Sequence, residues 1–302
     1  MSKVSITHDL AIERAMREAL DALDITSLFK GKRVAVHPND TWASKEDKTA
    51  VTQPDTLRSV IQYIKRFHPK ELIISGGSGA GETDQIFQTV GLMDIIREEG
   101  ALFFDHNRPP FQEVDLDYGH DREVFGPQKS VMVNPKVFEY ETLVALNQLK
   151  VHATATVTLA LKNVAMSFPA ADYYGHPRGI QQRKHHFFDD MHSFIAAMAK
   201  RFPIHLAITV GHPAMVGLGP IGGHVVETGI VIASTDPVAA DAVGAQLLGF
   251  EAQAVRHIWE AARLGVGKCE MDEIEFTGLN LDEAFEAFTQ AVYGTPLRLD
   301  HP

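Results

Sequence analysis

The stretch Thr142–Leu149 (TLVALNQL) constrains this chain more than any other. It is uncharged and mostly apolar, and reads as a strand buried inside a covered sheet. It runs directly into LKVHATATVTLALKNVAMSF, Leu149 to Phe168, which opens with Lys150 and His152 and closes with Lys162 and Asn163 around an almost uncharged run of Ala, Thr, Val and Leu. A cationic pair after a buried strand sits at that strand's carboxyl end. In open α/β sheets that edge is where ligands bind. The stretch therefore points to a site before it names any reaction.

The rest of the chain supplies the sheet. Strands are expected at Arg33–Val36, Glu71–Ser75, Ala101–Phe104, near Glu113–Leu116, and at Ser130–Val133, Ile204–Val210, Val225–Ala233 and Glu273–Phe276. Helical periodicity is expected at Ile12–Leu23, Asp55–Phe67, from Glu82, and at Val90–Glu99, Phe187–Lys200, Val238–Leu248, Ala252–Leu264 and Leu281–Val292. This alternation predicts an α/β fold: a doubly wound, mainly parallel sheet with helices on both faces. Two α/β lobes are expected, 1–148 and 149–302, with the site in a cleft between them. No internal repeat is visible.

Composition narrows the function. A net charge of -11 argues against nucleic acid as a partner, since phosphate neutralisation needs basic surface. The single cysteine, Cys269, excludes an internal disulfide and an iron–sulfur cluster built from this chain alone. No run has signal-peptide character or membrane-spanning length, so the expected location is the cytoplasm, without a membrane partner. A divalent metal and a homo-oligomer both stay open. The 15 histidines cluster in the middle of the chain.

Several strand ends carry polar groups. His37-Pro38-Asn39-Asp40 follows Arg33–Val36, and Pro38 turns the chain there, leaving His37 and Asn39 on a loop as substrate contacts or as plain turn residues. Glu71–Ser75 runs into Gly76-Gly77-Ser78-Gly79-Ala80-Gly81 with a helix after it. Such a turn can present backbone N–H groups to an anion, through Gly76, Gly77 and Gly79, or can be glycine for tight packing. It is neither a Walker motif nor a GxGxxG fingerprint. Asp236, in Ser234-Thr235-Asp236-Pro237, is a substrate contact or a helix cap. Asp241 stands out in an otherwise apolar helix.

Lys150 and His152 admit two readings. Either the strand continues to His152 and the two share a face, or it ends near His152 and a helix begins, capped by Thr154 or Thr156. The second is preferred because Leu159, Lys162 and Asn163 then form the helical continuation, with a positive helix terminus beside Lys150 and His152. Lysines among apolar neighbours can serve as base or nucleophile, and histidine as acid, base or metal ligand. Ala171 to His186 reads as a long loop or lid carrying His176, Lys184, His185 and His186. No pair among them has the i, i+4 spacing of a zinc motif.

LKVHATATVTLALKN resembles the central motif of the family known as domain of unknown function 362, a Lys-x-His after a strand, then Thr, then Leu-Lys-Asn. GLGPIGGHVVETGIVIASTDPVAADAVGAQLLGF resembles its second signature. His37-Pro38-Asn39 resembles its Lys-Pro-Asn, with His in place of Lys. The resemblance runs from about Arg33 to Gly267. It implies an α/β fold and, in many members, a ferredoxin-like cysteine cluster that this chain lacks. It also implies an acidic residue before the Gly-Pro loop, where this chain has Thr209-Val210-Gly211-His212. The layout is also similar to the lactate racemase family, in which a lysine carries a nickel-pincer cofactor and histidines do proton and metal work. That resemblance implies such roles for Lys162 and His176.

The sequence thus predicts an enzyme acting on a small anionic metabolite, a carboxylate or a phosphate, by proton or hydride transfer, isomerase- or oxidoreductase-like. Lys150, His152, Lys162 and His176 would carry the chemistry; His37, Asn39, Gly76, Gly77, Gly79, Asn163, His185 and Asp236 would hold the substrate. The alternative is a non-catalytic accessory protein that binds a metal or a redox partner.

Overall fold

The computed structural model describes residues 1–119, 129–174 and 190–299. In chain order the elements are β1 (Ser2–His8), α1 (Ile12–Asp21), the single-turn α2 (Thr26–Phe29), β2 (Arg33–Pro38), α3 (Pro54–Lys65), β3 (Glu71–Gly76), α4 (Thr83–Val90), α5 (Leu92–Glu98), β4 (Leu102–Asp105), β5 (Gln112–Asp115), β6 (Ser130–Val133), β7 (Thr142–His152), β8 (Thr156–Val157), α6 (Leu159–Ser167), α7 (Met191–Arg201), β9 (Leu206–Val216), β10 (His224–Val226), β11 (Ile230–Ser234), α8 (Pro237–Leu247), α9 (Arg256–Arg263), β12 (Ile274–Gly278) and α10 (Leu281–Tyr293).

One mixed, mostly parallel sheet organises the described residues. Its order is β12-β1-β11-β9-β7-β2-β3-β4, with β10 paired to β9 and β8 to β7; β5 and β6 form a separate ribbon. The five strands β9, β7, β2, β3 and β4, from the middle of the sheet to one edge, are mutually parallel. From β2 the chain steps outward through β3 to β4, then returns to lay β7 on the other side of β2 and β9 beyond it. The strand order therefore reverses between β2 and β7. At such a reversal the loops leaving adjacent strands diverge to opposite faces and open a crevice.

Helices cover both faces. Alternation along β7 assigns Val144 and Leu146 to a core shared with α1, α3, α4 and α5, and Leu143, Ala145 and Leu149 to a core shared with α6 through α10. The expected division at 148/149 falls inside β7, which pairs with β2 from the first half and β9 from the second, so one sheet runs through both.

The structure departs from the sequence reading in several places. β1 pairs with β11 and β12 although its segment, SKVSITH, interrupts its apolar residues with polar ones. β9 continues to Val216 through a segment rich enough in Gly and Pro to read as irregular loop, because β10 pairs with Met215 and its neighbours. The expected strand Val225–Ala233 is split between β10 and β11. The helix expected at Val90–Glu99 starts at Leu92, because Gly91, with a φ of 99°, ends α4 in a left-handed turn.

The junction after β7 also differs. β7 reaches His152, the short β8 folds back on it, and α6 starts at Leu159. Neither Thr154 nor Thr156 caps α6. The cap comes from α8, where the fully buried Asp241 accepts Ala160 N–H at 2.8 Å on one carboxylate oxygen and Leu161 N–H at 2.9 Å on the other. A helix start inside the core has no water to satisfy its first N–H groups, so a distant acceptor does it.

Candidate functional site

The carboxyl ends of the parallel strands share one edge of the sheet, and a pocket of about 340 Å³ opens there at the reversal between β2 and β7. Asn39 and Thr41 reach it from the loop after β2, Gly79 from the loop after β3, His152 from the end of β7, and Lys162 and Asn163 from α6. Pro220 and Ile221, after β9, close one side.

A ladder of amides ties these elements together across the reversal. Asn39 Nδ2 donates to Asn163 Oδ1 (3.1 Å); Asn163 Nδ2 donates to Asn147 Oδ1 (2.9 Å) and His37 O (3.3 Å); Asn147 Nδ2 donates to Ile208 O (3.1 Å). Asn147 is a functional neighbour that the sequence reading passed over. Its signal was a polar residue in the middle of an apolar strand.

Lys162 is 6 % exposed. Its ammonium makes no hydrogen bond or ion pair within the described residues, and the described lining contains no carboxylate and no second lysine or arginine. Burial pushes its pKa down to about 8. Lys150 lies behind the pocket, fully buried, with Nζ donating to Ala50 O at 2.6 Å. Burial, with the charge of Lys162 adding and Asp40 opposing, pushes Lys150 down to about 7.

His152 is fixed in one tautomer. Its Nδ1 accepts the backbone N–H groups of Thr154 and Ala155, both at 3.1 Å, so Nδ1 carries no proton and Nε2 does. Burial and the neighbouring Lys162 and Lys150 push its pKa down to about 3. Around neutral pH it is an uncharged hydrogen-bond donor, a narrower role than the acid, base or ligand its residue type allows.

Two anion-binding devices suggested by the sequence are occupied from within. In the glycine loop, Gly77 N–H donates to Asp40 Oδ2 (2.8 Å), Ser78 N–H to Thr83 Oγ1 (3.2 Å) and Ala80 N–H to Thr41 O (3.3 Å). Gly76 and Gly77 serve packing: a Cβ on Gly77 would lie 1.9 Å from Ser167 O, and one on Gly76 2.5 Å from Thr83 Cγ2. Gly79 alone of the three faces the pocket. The second device, the first N–H groups of α6, is taken by Asp241.

The remaining predicted residues separate. His37 is buried beneath the pocket, its Nδ1 3.3 Å from Ser75 Oγ and its ring stacked on His106 at 5.8 Å; burial pushes its pKa down to about 4. Asp236 is not brought to the pocket. It follows β11, which runs antiparallel to β9 and so ends at the opposite edge, where its Oδ1 accepts Val238 and Ala239 N–H and caps α8. His176 and His185 lie outside the described residues, whose flanks Tyr174 and Met191 both line the pocket.

Further histidines stand close by. His106, whose Nε2 is 2.9 Å from Tyr140 Oη, follows the end of β4, while His37 is the last residue but one of β2. His192 and the buried His257 approach at 3.1 Å between their Nδ1 atoms. Proximity of α7 and α9 creates that pair, and no sequence spacing announces it. Among the described residues no three His, Cys, Asp or Glu side chains converge as a metal site. No described helix is long and apolar enough to cross a membrane.

Comparison with known proteins places the fold and the family. The lactate racemase apoprotein from Thermoanaerobacterium thermosaccharolyticum has a similar fold, with a TM-score of 0.50 and 14% sequence identity over 82% of this chain. The chain spans little more than half of that structure, 56% of its length. The Thylakoid-associated protein sll1697 of Synechocystis sp. (strain ATCC 27184 / PCC 6803 / Kazusa) is 23% identical over 238 residues, covering 78% of this chain and 69% of the relative. Residues 34–246 match the sequence model of the family described as Domain of unknown function (DUF362), and the chain belongs to that family.

Proposed function

We propose that the pocket at the β2–β7 reversal is the active site of an enzyme that acts on a small carboxylate by moving a proton at the carbon beside it. One observation carries this reading: Lys162, a buried ammonium with no partner among the described residues, in a described lining without carboxylates. A buried charge left unpaired is costly, and proteins tolerate it where a ligand supplies the counter-charge.

Lys162 is the group in the lining suited to carry the proton. With its pKa lowered to about 8, roughly a tenth of it is neutral at pH 7. In that form, with the carboxylate seated against His152 Nε2–H, it accepts a proton: the C–H bond breaks, its electron pair moves into the carboxylate, and Nζ becomes the ammonium that pairs with the charge so formed. His152, held as the Nε2–H tautomer, donates toward the charge that develops. The amide ladder fixes where α6 stands relative to the loop after β2, and so where Nζ meets the substrate. The name of the structural neighbour, a lactate racemase, describes chemistry at a carbon beside a carboxylate, which agrees in kind.

The test is hydrogen–deuterium exchange at the α-carbon of a carboxylate panel in D₂O, followed by NMR. Exchange catalysed by the protein and abolished in Lys162→Gln is the expected result. Binding that depends on Lys162 without exchange would instead assign a binding role, and absence of both would overturn the reading.

A further inference from the structure

We propose that the pocket selects a singly charged carboxylate that carries an apolar, ring-sized group, and discriminates against compact polyanions such as phosphate esters and dicarboxylates. This rests on the reading of the pocket as an anion site.

The charge follows from what the protein has already used. A site for a phosphate ester or a dicarboxylate gathers several donors: backbone N–H groups from a glycine loop, a helix N-terminus, and more than one cationic side chain. Here the loop N–H groups of Gly77, Ser78 and Ala80 are spent on Asp40, Thr83 and Thr41. The α6 N–H groups of Ala160 and Leu161 are spent on Asp241. Lys150 is committed to Ala50 O and does not line the pocket. Among the described residues one ammonium remains, Lys162, assisted by the neutral His152. One positive charge in a desolvated site matches one negative charge. A second would be buried without a partner among the described residues.

The apolar group follows from the direction of the lining. Met166 is four residues beyond Lys162 on α6, so it stands on the same face one turn on, about 6 Å along the axis. Beyond it the wall is Pro169, Ala171 and Tyr174, and Met191 and Ile221 line the pocket as well. Lys162 thus meets the pocket about one helical turn from Met166, in a lining that also holds Pro169, Ala171, Met191 and Ile221. Its 340 Å³ equals roughly eleven water volumes at about 30 Å³ each, which leaves room for a ring after a carboxylate is seated. A compact dianion would leave that apolar wall wet. A ring would bury it.

Titration calorimetry of the full chain with acetate, phenylacetate, phenylacetamide, succinate and inorganic phosphate tests this. Phenylacetate should bind at least tenfold tighter than acetate, and tighter than succinate or phosphate. Lys162→Met should weaken phenylacetate tenfold or more and leave the uncharged phenylacetamide unchanged. Met166→Ser, which keeps the charge, should weaken phenylacetate and spare acetate. Lys162→Gln serves if the Met variant does not fold. Succinate or phosphate binding tighter than phenylacetate, and lost with Lys162, would overturn this selectivity while the anion site stands. No Lys162-dependent binding of any probe would overturn both.

Discussion

Asp241 on α8 accepts the backbone N–H of Leu161 at 2.9 Å, eighty positions back along the chain, and with it that of Ala160. This carboxylate sets the start of the helix that carries Lys162 and Asn163. Asp241→Ala would orphan two buried donors and should cost about 2–4 kcal/mol of stability in urea melts. Asp241→Asn keeps one acceptor and should cost less. The pH dependence carries a sign. Burial pushes Asp241 up to about 8 from an ordinary value near 3.8, against the N–H groups of Leu161 and Ala160, which favour its charged form. The folded state therefore holds a proton that the unfolded state has released, and wild-type stability should fall as pH rises from about 4 through 8. Asp241→Asn should lack that component of the slope.

Gly77 and Gly79 are two apart and should respond oppositely to the same change. A Cβ on Gly77 meets the carbonyl of Ser167 at 1.9 Å, so Gly77→Ala must push the end of α6 aside, at a cost of about 1–3 kcal/mol. A Cβ on Gly79 meets nothing within 4 Å. Gly79→Ala should fall within about 0.5 kcal/mol of wild type. Thermal melts of the two variants decide. Equal losses would mean that the loop is fixed by something other than contact with Ser167.

What the sequence revealed follows from range of interaction. β7 was legible because burial on both faces leaves an apolar run, and Lys162 and Asn163 because charge and amide inside such a run have no local explanation. Asp236 was legible as a cap, since its partners Val238 and Ala239 are its own neighbours. Its distance from the pocket was not legible, because it depends on β11 running antiparallel to β9. Asp241 announced itself only as an oddity: its partners are on another helix. The glycine loop stayed open between two readings because glycine serves both anion nests and tight packing. Only the position of Ser167 distinguishes the two at Gly77.

His212 joins two segments that are far apart in sequence. Its Nε2 is 2.8 Å from Asp55 Oδ2 in the first turn of α3, and its Nδ1 is 2.6 Å from Glu227 Oε2 after β10. Asp55 first, then Glu227, raise the imidazole above its ordinary value, and His212 lowers Asp55. A raised histidine stabilises fully below its unfolded pKa and loses that contribution as pH rises through the folded one. A lowered carboxylate loses its contribution as pH falls through its own folded pKa. The clasp is therefore strongest between the two. His212→Gln should lower stability by up to about 1 kcal/mol at pH 5.5, since both carboxylates are exposed. The difference from wild type should shrink by pH 8.5 and in high salt. A difference that is flat with pH would show that the contact is held by hydrogen bonding alone.

Lys162 separates stability from binding. Folding takes its ammonium out of water without a partner among the described residues and lowers its pKa from 10.5 to about 8. Between those values the unfolded chain holds a proton that the folded protein has released, so stability should rise as pH goes from about 8 to 10.5. Lys150, lowered to about 7, adds a slope of the same sign from a lower pH. Lys162→Met removes the buried charge and should stabilise the protein at pH 7 by about 2–3 kcal/mol, leaving the part of the slope that belongs to Lys150. Binding should move the other way. An anion held by the Lys162 ammonium should weaken as pH rises through about 8 in the wild type, and should bind the Met variant at least tenfold more weakly, without that pH dependence. Urea melts and titration calorimetry across pH 6–10 measure both. A Met variant that is less stable than wild type would mean that the ammonium has a partner inside the fold, and would remove the ground for assigning its counter-charge to a ligand.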